Sequence, residues 1–231
     1  MSSKGPSTFQ KCTMEFLSSF IIVFTIQNTA PKTYGAFAVA VSFFIGVFLA
    51  AKVSGAHLNP AVTFMVYLND KERNPHSTQI INYIPYVASQ ILGALLGALL
   101  SDILGGATLS PVIKNMSLTN AFFAEAFFTF FLCVGVSVIA DPHSGMDPAM
   151  CGLVVCTLIF ITAVSIGPYT SGVVNPAIGI ALVVAGDVVK GIEDFSVLPL
   201  YILAPLAGAY GAHLLYIKII RPGMQQETTA E

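Results

Sequence analysis

Long apolar runs alternate with short polar breaks along almost the whole chain. Six of them, at 12–28, 34–51, 80–104, 118–140, 146–167 and 197–220, approach or exceed the length of a membrane span. A helix needs about 20 mostly apolar residues to cross about 30 Å of hydrocarbon. Each run therefore predicts one span, the first a little short unless Cys12, Thr13 and Met14 belong to it. Two further apolar runs, 61–68 and 177–185, each follow an Asn-Pro pair and are too short to span.

The runs form two similar triplets. Met14-Glu15-Phe16-Leu17 near the start of the first run has a counterpart in Ala124-Glu125-Ala126-Phe127 of the fourth, with the acids 110 residues apart. Ser54-Gly55-Ala56-His57-Leu58-Asn59-Pro60-Ala61 follows the second run, and Thr170-Ser171-Gly172-Val173-Val174-Asn175-Pro176-Ala177 follows the fifth, with the asparagines 116 residues apart. Three spans per half is an odd number, so the second half enters the membrane from the opposite side as an inverted repeat. The two Asn-Pro-Ala segments then approach from opposite faces and meet near the midplane. Asn is a good N-cap, and Pro at the first helical position loses no needed hydrogen bond. Residues 61–68 predict a helix of about 12 Å, roughly half of the hydrocarbon core. Irregular backbone ahead of such a half-helix is tolerable only where it is buried in protein or lines a wet cavity. Gly55, Ala56, His57 and Leu58, with Ser171, Gly172, Val173 and Val174 as the mirror image, are thus expected to offer carbonyl acceptors to whatever passes.

Composition removes the soluble alternatives. Of 231 residues, 55% are hydrophobic and 10% charged, against about 25% charged in a soluble domain. A soluble enzyme and a nucleic-acid binder are excluded, and a net charge of -2 argues against a polyanionic partner. Cys12, Cys133, Cys151 and Cys156 form no CxxC pair and read as small apolar fillers, so neither metal nor disulfide is expected. No nucleophile–base pair is legible, so no enzyme activity and no cofactor are expected. No cleavable signal peptide is read, and the first span is expected to stay as an anchor. Lys4, Lys11, Lys52, Lys71, Arg73, Lys218 and Arg221 fall on the side of both termini, against Lys32, Lys114 and Lys190 opposite. The excess of positive charge predicts cytoplasmic termini. The one sequon, at Asn115, then lies in a non-cytoplasmic loop, where glycosylation is open to it. Gly93, Gly97, Gly208 and Gly211 read as close-packing positions between helices.

Taken together, these features resemble the aquaporin, or major intrinsic protein, family over residues 15–216. Residues 54–63, Ser54 to Thr63, match that family's first signature closely, and Gln90-x-x-Gly93-Ala94-x-x-Gly97-Ala98 and Ala204-Pro205-x-x-Gly208-Ala209 add to the match. The resemblance implies an all-α membrane protein: six transmembrane helices plus two re-entrant half-helices in a right-handed bundle. It implies one domain over 1–231, with repeat halves at about 12–105 and 118–220. It further implies a homotetramer in the lipid bilayer with one pore per subunit, passing water and small neutral solutes passively and excluding ions and protons. Glu15 and Glu125 would brace the loops that lead into the half-helices. Asn59 and Asn175 would cap the half-helices with their side-chain oxygens and turn amide donors toward the pore.

One departure matters. Most of the family carries Arg after the second Asn-Pro-Ala, where this chain has Ile178. Aligned to the same signatures, the other positions of the outer constriction fall on Val39, Ala163 and Gly172. An apolar, non-aromatic constriction has two readings: a wider pore admitting glycerol, urea, ammonia or hydrogen peroxide with water, or a dewetted one that conducts poorly. An aromatic nearby, Tyr34, Phe37 or Tyr169, would instead fill the gap. The other class of function for such a fold is a structural, junction-type membrane protein with little flux.

Overall fold

Ser7 starts the first helix ahead of the apolar run. Its hydroxyl accepts from Gln10 N at 3.3 Å, and Gln10 Oε1 accepts from Ser7 N at 2.8 Å. This reciprocal cap satisfies two N–H groups that the helix itself cannot. Helix α1 therefore covers Thr8–Thr29, 22 residues, or about 33 Å, and the first span is no longer short. Ser117 caps α5 (Leu118–Ile139, also 22 residues), accepting from Asn120 N at 3.1 Å. The two caps and the two helices repeat at the same 110-residue spacing as Glu15 and Glu125, which they carry.

The computed structural model describes residues 5–190 and 195–228. Lys4 and the side chain of Lys190, both used in reading the orientation, lie outside what is described, as do the extreme ends of the 1–231 domain. The other helices are α2 (Gly35–Ser54), α3 (Pro60–Arg73), α4 (Ile84–Ile103), α6 (Pro148–Ser165), α7 (Gly167–Thr170), α8 (Pro176–Lys190), α9 (Leu198–Leu215) and α10 (Arg221–Thr228). A π-helical turn, Tyr216–Ile220, joins the last two. Helices α1, α2, α4, α5, α6 and α9 are the six spans, and α3 and α8 are the half-helices. Both half-helices outrun their apolar segments. Helix α3 continues through Asn69-Asp70-Lys71-Glu72-Arg73, where Arg73 pairs with Asp70 at 2.7 Å. Hydropathy marks only the part of a helix that lies in apolar surroundings, and Lys, Glu and Arg are good helix formers beyond it.

Helix α1 packs along α4, α5 along α9, and α2 on α6 across the repeat. A Cβ added at Gly93 or Gly97 would strike the carbonyl oxygen of Phe16 or Phe20, and one at Gly208 that of Ala126. Backbone thus touches backbone at equivalent places in both halves, which is how helices gain contact in lipid. Gly211 faces the Phe130 ring less closely. Leu17, Ile45, Phe48, Leu92, Phe127 and Leu153 are exposed on the outside of the bundle, an apolar exterior unsuited to water. Cys12, Cys133, Cys151 and Cys156 are free thiols.

At the termini side, the loop after α5 holds Asp141, a buried acid that sequence patterning did not single out. It accepts from the Tyr216 hydroxyl, His143 N and the His143 ring. Burial works to raise its pKa, but these hydrogen bonds outweigh it and hold the carboxyl below its usual range. Nearby, the His213 ring meets Asn69 Oδ1 at 2.7 Å, which makes it a packed, hydrogen-bonded histidine.

Candidate functional site

The re-entrant segments 55–59 and 171–175 meet inside the bundle, and each repeats the backbone path of the other. Gly55, Ala56 and Leu58 have φ of 90°, 52° and 54°; Ser171, Gly172 and Val174 have 69°, 58° and 42°. Left-handed conformations at non-glycine residues are uncommon, and a β-branched one such as Val174 is a marked outlier. Such backbone costs about 1–3 kcal/mol per residue and persists only where its surroundings over-determine it.

The two acids supply that constraint. Glu15 Oε1 accepts from Ser54 Oγ at 2.6 Å and His57 N at 2.9 Å, and Oε2 accepts from Leu58 N and Gln90 Nε2, both at 2.7 Å. Glu125 Oε1 accepts from Thr170 Oγ1 at 2.6 Å and Val173 N at 3.0 Å, and Oε2 from Val174 N at 2.7 Å. Both acids are fully buried. Two tyrosines complete the frame: Tyr86 OH donates to Ser54 O at 2.9 Å, and Tyr201 OH donates to Thr170 O at 2.7 Å. They stand 115 residues apart, so the repeat itself was the signal that could have found them. The frame is not fully symmetric. Gln90, the fourth partner of Glu15, has Pro205 at the corresponding place in the second half.

Asn59 Oδ1 accepts from Ala61 N at 2.8 Å, and Asn175 Oδ1 from Ala177 N at 3.0 Å, so each caps its half-helix ahead of Pro60 and Pro176. The amide groups do more than point inward. Asn59 Nδ2 donates to Val174 O, and Asn175 Nδ2 donates to Leu58 O, both at 2.9 Å. One of the two N–H donors on each amide is therefore spent on the opposite half, leaving one. The carbonyls of Leu58 and Val174, expected to face a passing solute, are the ones these amides engage. Among the described residues, nothing donates to the carbonyls of 55–57 or 171–173. The His57 ring is held by Thr63 Oγ1 at 3.2 Å and lies 4.8 Å from the Tyr86 ring.

On the side away from the termini a cavity of about 500 Å³ opens above this core. Val39, Ala163, Gly172 and Ile178 all line it, and among the described residues Lys114 is the one charged residue on its wall. Ile178 is 5% exposed and packs in the main apolar core. Tyr34, Phe37 and Tyr169 do not line the cavity. The aromatic ring that does is Phe43, one helical turn below Val39 on α2. It faces the cavity together with Ile159, one turn below Ala163 on α6. Residues 109–114 close over the cavity: Leu109 N donates to Gln27 Oε1 at 2.6 Å, Val112 N to Ser171 Oγ at 3.0 Å, and Lys114 N to Tyr169 O at 2.7 Å.

Comparison with known proteins adds an independent line. The sequence model of the family described as Major intrinsic protein matches residues 2–216. The chain is 30% identical over 195 residues to Aquaporin TIP2-1 of Zea mays, covering 83% of this chain and 74% of that protein. It is 33% identical over 219 residues to Glycerol uptake facilitator protein-like 6 of Lactiplantibacillus plantarum, covering 87% and 93%. The X-ray structure of the aquaglyceroporin from Plasmodium falciparum shares the fold with a TM-score of 0.82 over 95% of this chain and 100% of that one, at 23% identity.

Proposed function

Because the chain belongs to the major intrinsic protein family, we propose that its re-entrant core is the waist of a passive membrane channel for water and small neutral solutes. The observation that carries this reading is the pair of 2.9 Å cross bonds between the asparagine amides and the opposite loops. They hold two helix N-termini head to head, each equivalent to roughly +0.5 charge. Cations, hydronium included, are repelled there. The one remaining N–H of each amide is free to bind a passing oxygen. A water accepting from both must donate to its two neighbours, so it cannot relay a proton along the file. The open carbonyls of 55–57 and 171–173 supply acceptors on either side.

Selectivity is set at the outer mouth. Val39, Ala163, Gly172 and Ile178 offer no side-chain donor, so the wall discriminates by width rather than by hydrogen bonding. The ring of Phe43 is then the groove's aromatic element, placed deeper than the constriction aligned from the family. We assign glycerol, urea, ammonia and hydrogen peroxide as solutes admitted with water, and a homotetramer with one pore per subunit as the working form. Osmotic swelling of vesicles carrying the purified protein tests this directly. Water flux well above that of empty vesicles, with measurable glycerol flux, is the expected result. Water flux equal to empty vesicles would overturn the channel reading and leave a junction-type role.

The orientation follows from the charge bias. Tags placed at residue 5 and after Met224 are expected to be cytoplasmic, with Lys114 and Asn115 on the opposite side. Protease cleavage of either tag from outside sealed cells would reverse that assignment.

A further inference from the structure

A second concavity lies outside the water path. It is a groove of about 510 Å³ between α3, α4, α8 and α9. Among the described residues no charged side chain lines it, and Thr63, Tyr67 and Tyr83 bring the only polar side-chain atoms. Two of these are already engaged: Thr63 Oγ1 donates to Asn59 O at 3.1 Å, and Tyr83 OH to Asp70 Oδ2 at 2.6 Å. Ile84 and Ala88 on its α4 wall are exposed, so the groove opens to the lipid-facing surface.

Its length suits one occupant. The lining runs along the α4 side from Ile80 to Ile91 and ends on Pro60 and Pro176, the first residues of the half-helices. At 1.5 Å per residue this is about 17 Å, close to half of a hydrocarbon core of about 30 Å. The groove thus has the depth of one leaflet, the leaflet on the side of the termini.

Beyond its end at Ile80 and Tyr83 stand the Asp70–Arg73 pair, on which Tyr83 OH rests, and one lysine. Lys71 stands one turn beyond Tyr67 on α3, and its ammonium donates to the carbonyls of Pro75 and Thr78, just ahead of Ile80. An ammonium has three donors, and among the described residues the third has no acceptor. Among the described residues no carboxylate pairs with Lys71, whereas neighbouring Arg73 is paired with Asp70. A surface of this kind fits a ligand with an anionic head and an apolar tail.

We propose that the groove binds one acyl chain of an anionic phospholipid from the termini-side leaflet, with the lipid phosphate on Lys71. The tail then rests against Pro60 and Pro176, so the lipid bears on the starts of both half-helices without entering the pore.

Native mass spectrometry of the purified protein, titrated with dioleoyl phosphatidylglycerol or dioleoyl phosphatidylcholine, tests this without reference to flux. The parent is expected to retain phosphatidylglycerol about fivefold better than phosphatidylcholine, the effect of one lysine at an anionic surface. Lys71→Gln should equalise the two lipids, and Lys71→Arg should keep the preference. Ala88→Phe, which fills the groove, should lower retention of both lipids in an intact oligomer. Equal retention by the parent, an unchanged preference in Lys71→Gln, or unchanged retention in Ala88→Phe would each overturn the proposal. A folded Ala88→Phe protein that has lost its oligomer would place a second copy in the groove and overturn it as well. Should Ala88→Phe fail to fold, the Lys71 pair decides.

Discussion

Glu15→Leu and Glu125→Leu should each abolish flux by removing the folded channel. In Glu125→Leu, the backbone N–H groups of Val173 and Val174 lose their acceptor in the interior, while the Thr170 hydroxyl keeps Ile166 O at 3.2 Å. At about 1–3 kcal/mol per stranded group, the loss is roughly 2–6 kcal/mol, a large share of the whole stability of a domain, about 5–15 kcal/mol. The left-handed backbone at Val174 loses its restraint in the same step. Glu15→Leu strands the N–H groups of His57 and Leu58, leaves the Ser54 hydroxyl only Ala50 O at 3.3 Å, and deprives Gln90 of one partner. Gln90 Nε2 keeps Thr63 Oγ1 at 3.0 Å as a second acceptor, so the damage there is softened. Size-exclusion yield and vesicle swelling, taken together, read the outcome. Two variants that assemble and conduct like the parent would show that neither acid braces its loop.

Ile178→Arg is expected to change what passes rather than whether anything passes. The side chain lines the outer cavity one residue beyond Ala177, on a wall whose one charged group among the described residues is Lys114. Arginine adds a planar fork of donors and a fixed positive charge to a wall that has no side-chain donor at its constriction. Its bulk narrows the mouth, and water needs the least width. Glycerol and urea flux should fall about tenfold more than water flux, equivalent to roughly 1.4 kcal/mol of added barrier. Taking a guanidinium out of water is itself unfavourable, so yield and oligomer size come first. An unchanged water-to-glycerol ratio in folded protein would mean that the filter lies elsewhere, with Phe43 and Ile159 the next residues to change.

The spans were legible because lipid leaves few choices: every backbone polar group must close on itself, so apolar runs become helices. Helix ends were less so. The Ser7-x-x-Gln10 cap was written in the sequence but sat outside the apolar run, and the tail of α3 is polar because it leaves the hydrocarbon. Within the site, the asparagines and the acids stood out because the repeat shows each of them twice. Tyr86 and Tyr201 repeat as well, but an isolated tyrosine in a span looks like ordinary core until its hydroxyl is seen on a loop carbonyl. Gln90 stands out only as part of a family motif, and with Pro205 at the equivalent place the repeat does not mark it as a partner of Glu15. Phe43 was passed over because alignment to the constriction points one helical turn higher, and only packing shows which ring faces the cavity. Asp141 was invisible for a different reason: its partner Tyr216 lies 75 residues away in another element.

The cross bonds at the waist also impose an order on synthesis. Leu58 O finds its partner in Asn175, and Val174 O in Asn59. The first re-entrant loop cannot finish its hydrogen bonding until Asn175, 117 positions after Leu58, has been made. At about 5–20 residues per second, that is a wait of roughly 6–23 s. Through that interval the Leu58 carbonyl lacks its partner, and the first re-entrant loop takes its final hydrogen bonding only when its mirror image arrives.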